Sequence, residues 1–288
     1  MGYLCLVFAL AAGVIKGFSC KKISRDVHSL KDGLFVNLLR TAICSLFGLA
    51  FLLVKGDTFA LTAQGAVVCA VSAVGVAVFS ISWLYAYQSE AYMFLSVFTM
   101  LGSIVTGIFG VLFLQETLSV PRIIGMALLV VAVYVMSIYN TNVTGKITLR
   151  GWATLIIGAL GSSIADFMQK LHVGSAFTFS FYTYFLALVP QLILWLCVAK
   201  IGQQRAPILS SRKHLAIYVV ISLCLFLNSL TKAIAAKYLP ASLMYPLLQG
   251  ANLIVSAILA RVLLKEKITA KSAMGIMLAL CAVAAMNI

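Results

Sequence analysis

Charge is what this sequence lacks most, and acidic charge above all. Only 10% of its 288 residues are charged, with 7 acids against 21 Lys and Arg. A water-soluble domain carries about 25% charged and about 45–50% apolar residues. Here the apolar share is 63%, more than a soluble core can bury. Paired cysteines are missing too. The seven cysteines, Cys5, Cys20, Cys44, Cys69, Cys197, Cys224 and Cys281, form no CxxC and lie mostly inside apolar runs. There Cys behaves as a small hydrophobe, so no disulfide framework and no metal site is expected. His28, His172 and His214 stand in loops or near run ends, with no ligand partner in sequence. HExxH, a nucleophile elbow and a Walker A loop are all absent, which argues against an enzyme and against ATP-driven pumping by this chain alone. No selectivity-filter sequence points to a channel. No cofactor is expected.

What is abundant is the long uncharged run, such as GMALLVVAVYVMSIY (125–139). About 20 apolar residues span the hydrocarbon of a bilayer. Ten such segments stand between charges, Gly or Pro, at 2–19, 33–54, 61–86, 91–114, 121–139, 151–170, 177–199, 214–236, 241–264 and 270–287. They are continuous rather than alternating, which selects helices over a barrel. The first has no basic leader and no clear cleavage site, so it reads as a membrane helix rather than a signal peptide. The expected class is an all-α polytopic membrane protein of ten transmembrane helices. The net charge of +14 sits mainly between runs. It reads as topology and contact with anionic headgroups, not nucleic-acid binding. The loops after helices 1, 5, 7 and 9 hold about 13 basic residues, against about four on the other side. By that count both termini lie outside the cytoplasm.

Two distant stretches say nearly the same thing: FLQETLSVPRIIGM (113–126) and LLKEKITAKSAMGI (263–276). Glu116 and Glu266 are separated by 266 − 116 = 150 positions, and Gly125 and Gly275 by the same amount. That offset also pairs Ala91 with Ala241, Ile104 with Ile254, Ile108 with Ile258 and Ala132 with Ala282, without a gap. The chain therefore reads as a duplication: one five-helix repeat over 1–139, a linker over 140–150 and a second repeat over 151–288. Five is odd, so the second copy enters the membrane from the opposite side. Inverted repeats of this kind recur in secondary transporters, with the solute site between the repeats near the midplane.

Those paired stretches, each a helix, a Glu, a hydroxyl-bearing turn and a helix with an early Gly, resemble the drug/metabolite transporter superfamily, and within it the ten-helix EamA-like proteins. YAYQSEAYMFLS (85–96) and AAKYLPASLMYPL (235–247) are similar to the family's connection between third and fourth helices in each half. VNLLRTA (36–42) resembles its second-helix arginine, which has no second-half counterpart in FYTYFLALVPQ (181–191). The resemblance covers nearly the whole chain. It implies a transporter of a small organic solute, with a central cavity lined by helices other than the fifth and tenth. Ten-helix members usually have both termini in the cytoplasm, opposite to the loop-charge reading.

Charge inside the membrane is costly and marks solute or ion paths by default. Lys16, Arg40, Lys232 and Arg261 lie inside runs, with Asp166 the one acid. Arg261 lies near its helix end and is expected to snorkel to the headgroups; Lys16 either snorkels or serves the cavity. Lys16 and Asp166 are also 166 − 16 = 150 apart, hence equivalent in the two repeats. Each lies about 7–8 Å past the midpoint of its helix, in opposite directions, so each is expected to serve one end of the cavity rather than pair with the other. Asp166 otherwise pairs with a base such as Lys170, at i+4. Asn228 and Lys232 share a helix face for the same reason. Trp83, Tyr85 and Tyr87 line the cavity or form an aromatic belt at the surface. Arg40 suits carboxylate or phosphate recognition, or satisfies buried carbonyls.

The candidate substrate-binding set is Lys16, Arg40, Trp83, Tyr85, Asp166, Asn228 and Lys232. Glu116 and Glu266 read as structural, each beside the start of the helix that follows it, with Ser119 or Thr269 as N-cap. Gly125 and Gly275 read as close helix crossings. The function expected is a secondary transporter in the plasma membrane, moving a carboxylate- or phosphate-bearing, amino-acid-like metabolite by alternating access. The alternatives are a proton-coupled exporter of lipophilic cations, with Asp166 exchanging the proton, and a non-transporting scaffold or lipid-handling protein. Expected partners are the bilayer, the small-molecule solute, a proton as candidate coupling ion and a second copy of the chain as a candidate homodimer.

Overall fold

In the computed structural model, residues 1–24, 30–89, 92–143, 149–199, 212–263, 265 and 270–286 are described. They form ten helices: α1 (Gly2–Ser24), α2 (Leu30–Lys55), α3 (Ala63–Ser89), α4 (Tyr92–Leu114), α5 (Val120–Val143), α6 (Leu149–Leu171), α7 (Ala176–Ala199), α8 (Arg212–Ala235), α9 (Ala241–Val262) and α10 (Ala270–Met286). No strand occurs among the described residues. Each helix matches one apolar segment. α1, α3 and α5 outlast theirs, reaching Ser24, Ser89 and Val143, because polar residues extend a helix past the hydrocarbon at little cost. Seven helices are long and apolar enough to cross a membrane, and the other three carry shorter apolar stretches at 98–114, 120–135 and 273–286. Large apolar side chains such as Val7, Leu53, Val67, Phe113 and Tyr134 point outward, more than half exposed. Exposed apolar area on that scale has lipid as its solvent.

The helices run alternately up and down. The start of α1 and the links α2–α3, α4–α5, α6–α7 and α8–α9 share one end of the molecule, called here the first end. Side-chain bonds lace it together. Thr178 Oγ1 donates to the Thr58 carbonyl at 3.2 Å, and Tyr182 OH to that of Phe59 at 2.7 Å. Ser175 Oγ donates to Asp57. Lys237 Nζ donates to the Gly174 carbonyl at 2.8 Å.

The two repeats do not form separate lobes. The most extensive helix contacts are all between halves: α3 with α6, α1 with α8, α2 with α7, α4 with α9 and α5 with α10. Exchanging each helix for the one five places on returns the same set, as a pseudo-two-fold axis requires. Near that axis Thr41 Oγ1 donates to Gln191 Oε1 at 3.1 Å. These residues are 191 − 41 = 150 apart, so one position meets its own copy. Gly125 lies where α5 crosses α10. A Cβ there would stand 2.8 Å from the Ala282 carbonyl oxygen, an approach only Gly allows. Gly275 is buried in α10. Glu266 lies outside the described residues.

Glu116 corrects the local reading of its motif. Its carboxylate accepts from the backbone N–H of Ala241 at 2.7 Å and of Ser242 at 2.9 Å. It caps α9, in the other repeat, rather than α5. The reason lies in the start of α9: its N-cap is Pro240, which offers no side-chain acceptor. The first N–H groups of a helix lack internal partners, and a carboxylate satisfies them and complements the dipole. Ser119 contributes its backbone carbonyl to Arg122 and Ile123.

Candidate functional site

Lys16, Asp166 and Lys232 come together. α1 delivers Lys16, α6 delivers Asp166 and α8 delivers Asn228 and Lys232 to one cavity between the repeats. Its two parts share Lys16, Phe79, Ser162, Asn228 and Lys232. The larger part has a free volume of about 70 Å³, room for a small solute group rather than a drug-sized ligand.

Asp166 forms an ion pair with Lys232, and the pair is nearly dry, with side chains 8% and 12% exposed. The alternative pairing with Lys170 is not made. Lys170 Nζ instead donates to the carbonyls of Ala236 and Leu239, both at 2.7 Å, where α8 ends. That follows from the unpaired carbonyls of a helix C-terminus. Around the ion pair the polar groups are matched. Tyr245 OH donates to the Asp166 backbone carbonyl at 2.6 Å, and Gln169 Nε2 to that of Ser229 at 2.9 Å. The Lys232 ammonium lies 5.9 Å from the Tyr245 ring centre. Asn228 Nδ2 donates to the Ala9 carbonyl at 2.6 Å, which fixes α8 against α1.

Lys16 does not snorkel to the surface. Its ammonium lies 5.8 Å from the Phe79 ring centre, a cation–π distance. Phe79 stacks on Trp83, ring centres 5.2 Å apart. Trp83 is 5% exposed and lines the cavity, so it is not part of a surface belt. The side chain of Tyr85 lies outside the described residues. Arg40 is buried, but it is not among the residues lining this cavity. Its Nη1 donates to Asn37 Oδ1 at 3.3 Å, and Asn37 Nδ2 to the Ser80 carbonyl at 3.0 Å. Arg40 thus holds α2 to α3 through Asn37. Its Nε has no partner, which leaves one donor of a buried cation unused.

Sequence reasoning missed Gln249 and Asn252 on α9 and Ser162 on α6, which also line the cavity. Two amides three positions apart in an otherwise apolar helix were the available signal. The ionisable groups of the cavity sum to +1, from Lys16 and Lys232 against Asp166. Ammonium groups donate to anionic oxygens, and the ring faces of Phe79 and Trp83 favour cationic or apolar groups.

A solved structure described only as "Crystal structure of protein" superposes with TM-score 0.75, over 99% of this chain and 95% of its own, at 13% identity. That likeness shows the fold alone. No curated protein matches the chain. A family model, the EamA-like transporter family, matches twice, over residues 1–138 and 149–288. The match takes in nearly every residue as two successive copies, and the chain therefore belongs to the EamA-like transporter family, whose members are multi-pass membrane transporters of small molecules.

Proposed function

We propose that this protein is a secondary transporter of the plasma membrane that moves a carboxylate- or phosphate-bearing, amino-acid-like metabolite. The observation that carries the reading is the central cavity, where Lys16 and Lys232 outnumber the single carboxylate of Asp166. Within the cavity Asp166 balances Lys232. An incoming carboxylate or phosphate competes for that lysine, and an ammonium on the same solute takes Asp166 as partner. Exchange of one ion pair for two avoids stranding a buried charge, which costs several kcal/mol. Access alternates as helix bundles drawn from both halves, 1–139 and 151–288 with the linker 140–150, shift about the pseudo-two-fold axis. The lacing of the first end is what must part when that end opens.

The exporter reading needs Asp166 free to bind a cation or exchange a proton. Its ion pair with Lys232 disfavours this.

The test is the thermal stability of purified protein against a panel of amino acids, organic acids, sugar phosphates and quaternary ammonium compounds. A ligand at 100 times its dissociation constant adds about 2.7 kcal/mol. Anionic or zwitterionic compounds are expected to raise the melting temperature, and Lys16→Met to weaken that rise at least tenfold in apparent affinity. Stabilisation by cations alone, abolished in Asp166→Asn, would overturn the reading in favour of cation export.

A further inference from the structure

The cavity holds a polar feature that the lysines and Asp166 do not explain. Gln249 and Asn252 lie three positions apart on α9 and both line it. Asn252 Nδ2 donates to Gln249 Oε1 at 3.4 Å, so the two amides brace each other. That bond leaves Asn252 Oδ1 buried with no donor, and it does not use the Gln249 amide nitrogen. Exchanging oxygen and nitrogen on both amides reverses the roles, with Asn252 left holding the donor and Gln249 the acceptor, so the pair offers one of each in either arrangement. A buried acceptor without a donor is expensive, and native proteins rarely keep one unless something fills it.

Packing does not account for these amides. The repeat offset makes Asn252 equivalent to Gly102, since 252 − 150 = 102, and Gln249 equivalent to Thr99. Gly102 sits hard against α6, where a Cβ would stand 2.8 Å from the Ala159 carbonyl oxygen. At that position the first repeat closes a helix seam with no side chain at all. In the second repeat the same position carries an amide that faces the cavity. The amides also stand apart from the ion pair. Asn252 is 252 − 241 = 11 residues into α9 from the first end, and Lys232 is 235 − 232 = 3 residues from it on α8. At 1.5 Å per residue the two backbones are offset by roughly 12 Å along the helices.

We propose that Gln249 and Asn252 form a second recognition point, which selects solutes carrying a hydrogen-bond donor, a hydroxyl or an ammonium, at a distance from the anionic group. Asn252 Oδ1 accepts from that donor, and the Gln249 amide donates to the same group where it is a hydroxyl. The proposal rests on the anionic-solute reading above and adds bifunctionality to it. A plain carboxylate fills the lysine end and leaves Asn252 unmet. A solute with a donor at both the right reach and the right end satisfies it.

The experiment compares butyrate, 4-hydroxybutyrate, 4-aminobutyrate and 4-methoxybutyrate as stabilisers of the purified protein, by melting temperature against concentration. The methoxy compound matches the hydroxy compound in reach but cannot donate. The hydroxy and amino compounds are expected to bind about five-fold more tightly than the methoxy one, the size of one hydrogen bond. Asn252→Leu should erase that difference between the hydroxy and methoxy compounds, and Gln249→Met serves as the second variant should Asn252→Leu not fold. Equal binding of hydroxy and methoxy compounds to the wild type would overturn the proposal and leave the anionic reading standing. A preference that survives both variants would also overturn it. No stabilisation by any of the four, with cations stabilising instead, removes both readings together.

Discussion

The pseudo-two-fold axis makes the α3–α6 seam and the α1–α8 seam equivalent, yet they are built differently. At the first, glycine meets glycine. A Cβ on Gly75 would stand 2.7 Å from the Gly161 carbonyl oxygen, and one on Gly161 would stand 2.9 Å from that of Gly75. The 150-residue offset puts Leu225 and Ala11 at the matching positions of the second seam. Leu225 lines the cavity and Ala11 is exposed, so the meeting of bare backbones is not repeated there. What α1 and α8 place between them instead is polar: Lys16, Asn228 and Lys232. Ser82, on the glycine side, corresponds to Lys232. Duplication supplied two copies of one crossing. One kept small residues and became a seam of packed backbone, and the other took charged and amide side chains and became the wall of a chamber.

The strongest way to break this contrast is to strip the charge that the polar seam carries on Lys232, or its counter-charge, Asp166 on α6. Asp166→Asn leaves Lys232 buried without a counter-charge, which costs about 3–5 kcal/mol. The double variant Asp166→Asn with Lys232→Met removes both charges and is expected to regain most of that stability. If the polar seam serves transport, the double variant melts near the wild type but moves no solute in proteoliposomes. Wild-type flux in a stable double variant would make the seam merely structural.

The glycine seam should answer the opposite way. Gly75→Val or Gly161→Val forces a side chain into a backbone contact, and overpacking of this kind costs about 1–3 kcal/mol. Folded yield and melting temperature should fall, while transport per folded molecule holds. An unchanged melting temperature in both variants would show that the seam has slack that its distances deny.

Much of this architecture was legible because membranes make sequence patterns coarse. A run of apolar residues has one use, and an odd number of runs in each copy forces inversion. The cavity charges were legible for a related reason: Lys16, Asp166 and Lys232 interrupt apolar runs, where an ionised group is conspicuous. What escaped was whatever depends on a partner remote in sequence. The turn around Glu116 has the spacing of a local helix start, yet its carboxylate serves α9, 125 positions away. Pro240 was the clue, since a proline cap leaves a vacancy that another residue must fill. Gln249 and Asn252 escaped because uncharged amides barely disturb a hydropathy profile. Trp83 was ambiguous because its apolar run ends close by, whereas α3 continues to Ser89 and keeps the indole inside.

The smallest effect belongs to the first end and separates its chemistry from that of the chamber. His172 lies in the α6–α7 link, packed 5.1 Å from the Phe179 ring centre, beside a pocket lined by Thr58, Thr62, Gln64 and Thr178. Neither ring nitrogen has a hydrogen bond of normal geometry, although the Ser175 backbone lies close enough to hold the pKa up a little. Among the charged groups of this end, Lys237 is bonded to Gly174 and Asp57 to Ser175, both partners lying within the same link as His172. Burial, reinforced by Lys237, lowers the His172 pKa below its usual 6.5. A lowered histidine pKa means that the folded state refuses a proton which the solvated side chain accepts. Stability is then full above about pH 6.5 and is lost as the pH falls below it, because the unfolded or opened form gains the proton first. The melting temperature should drop between pH 7.5 and 5.5, modestly, since the ring is only partly buried. His172→Gln should flatten that drop without changing solute affinity in the chamber. An identical pH slope in the variant would mean that the acid sensitivity arises elsewhere, and a changed solute affinity would mean that the two regions are coupled rather than separate.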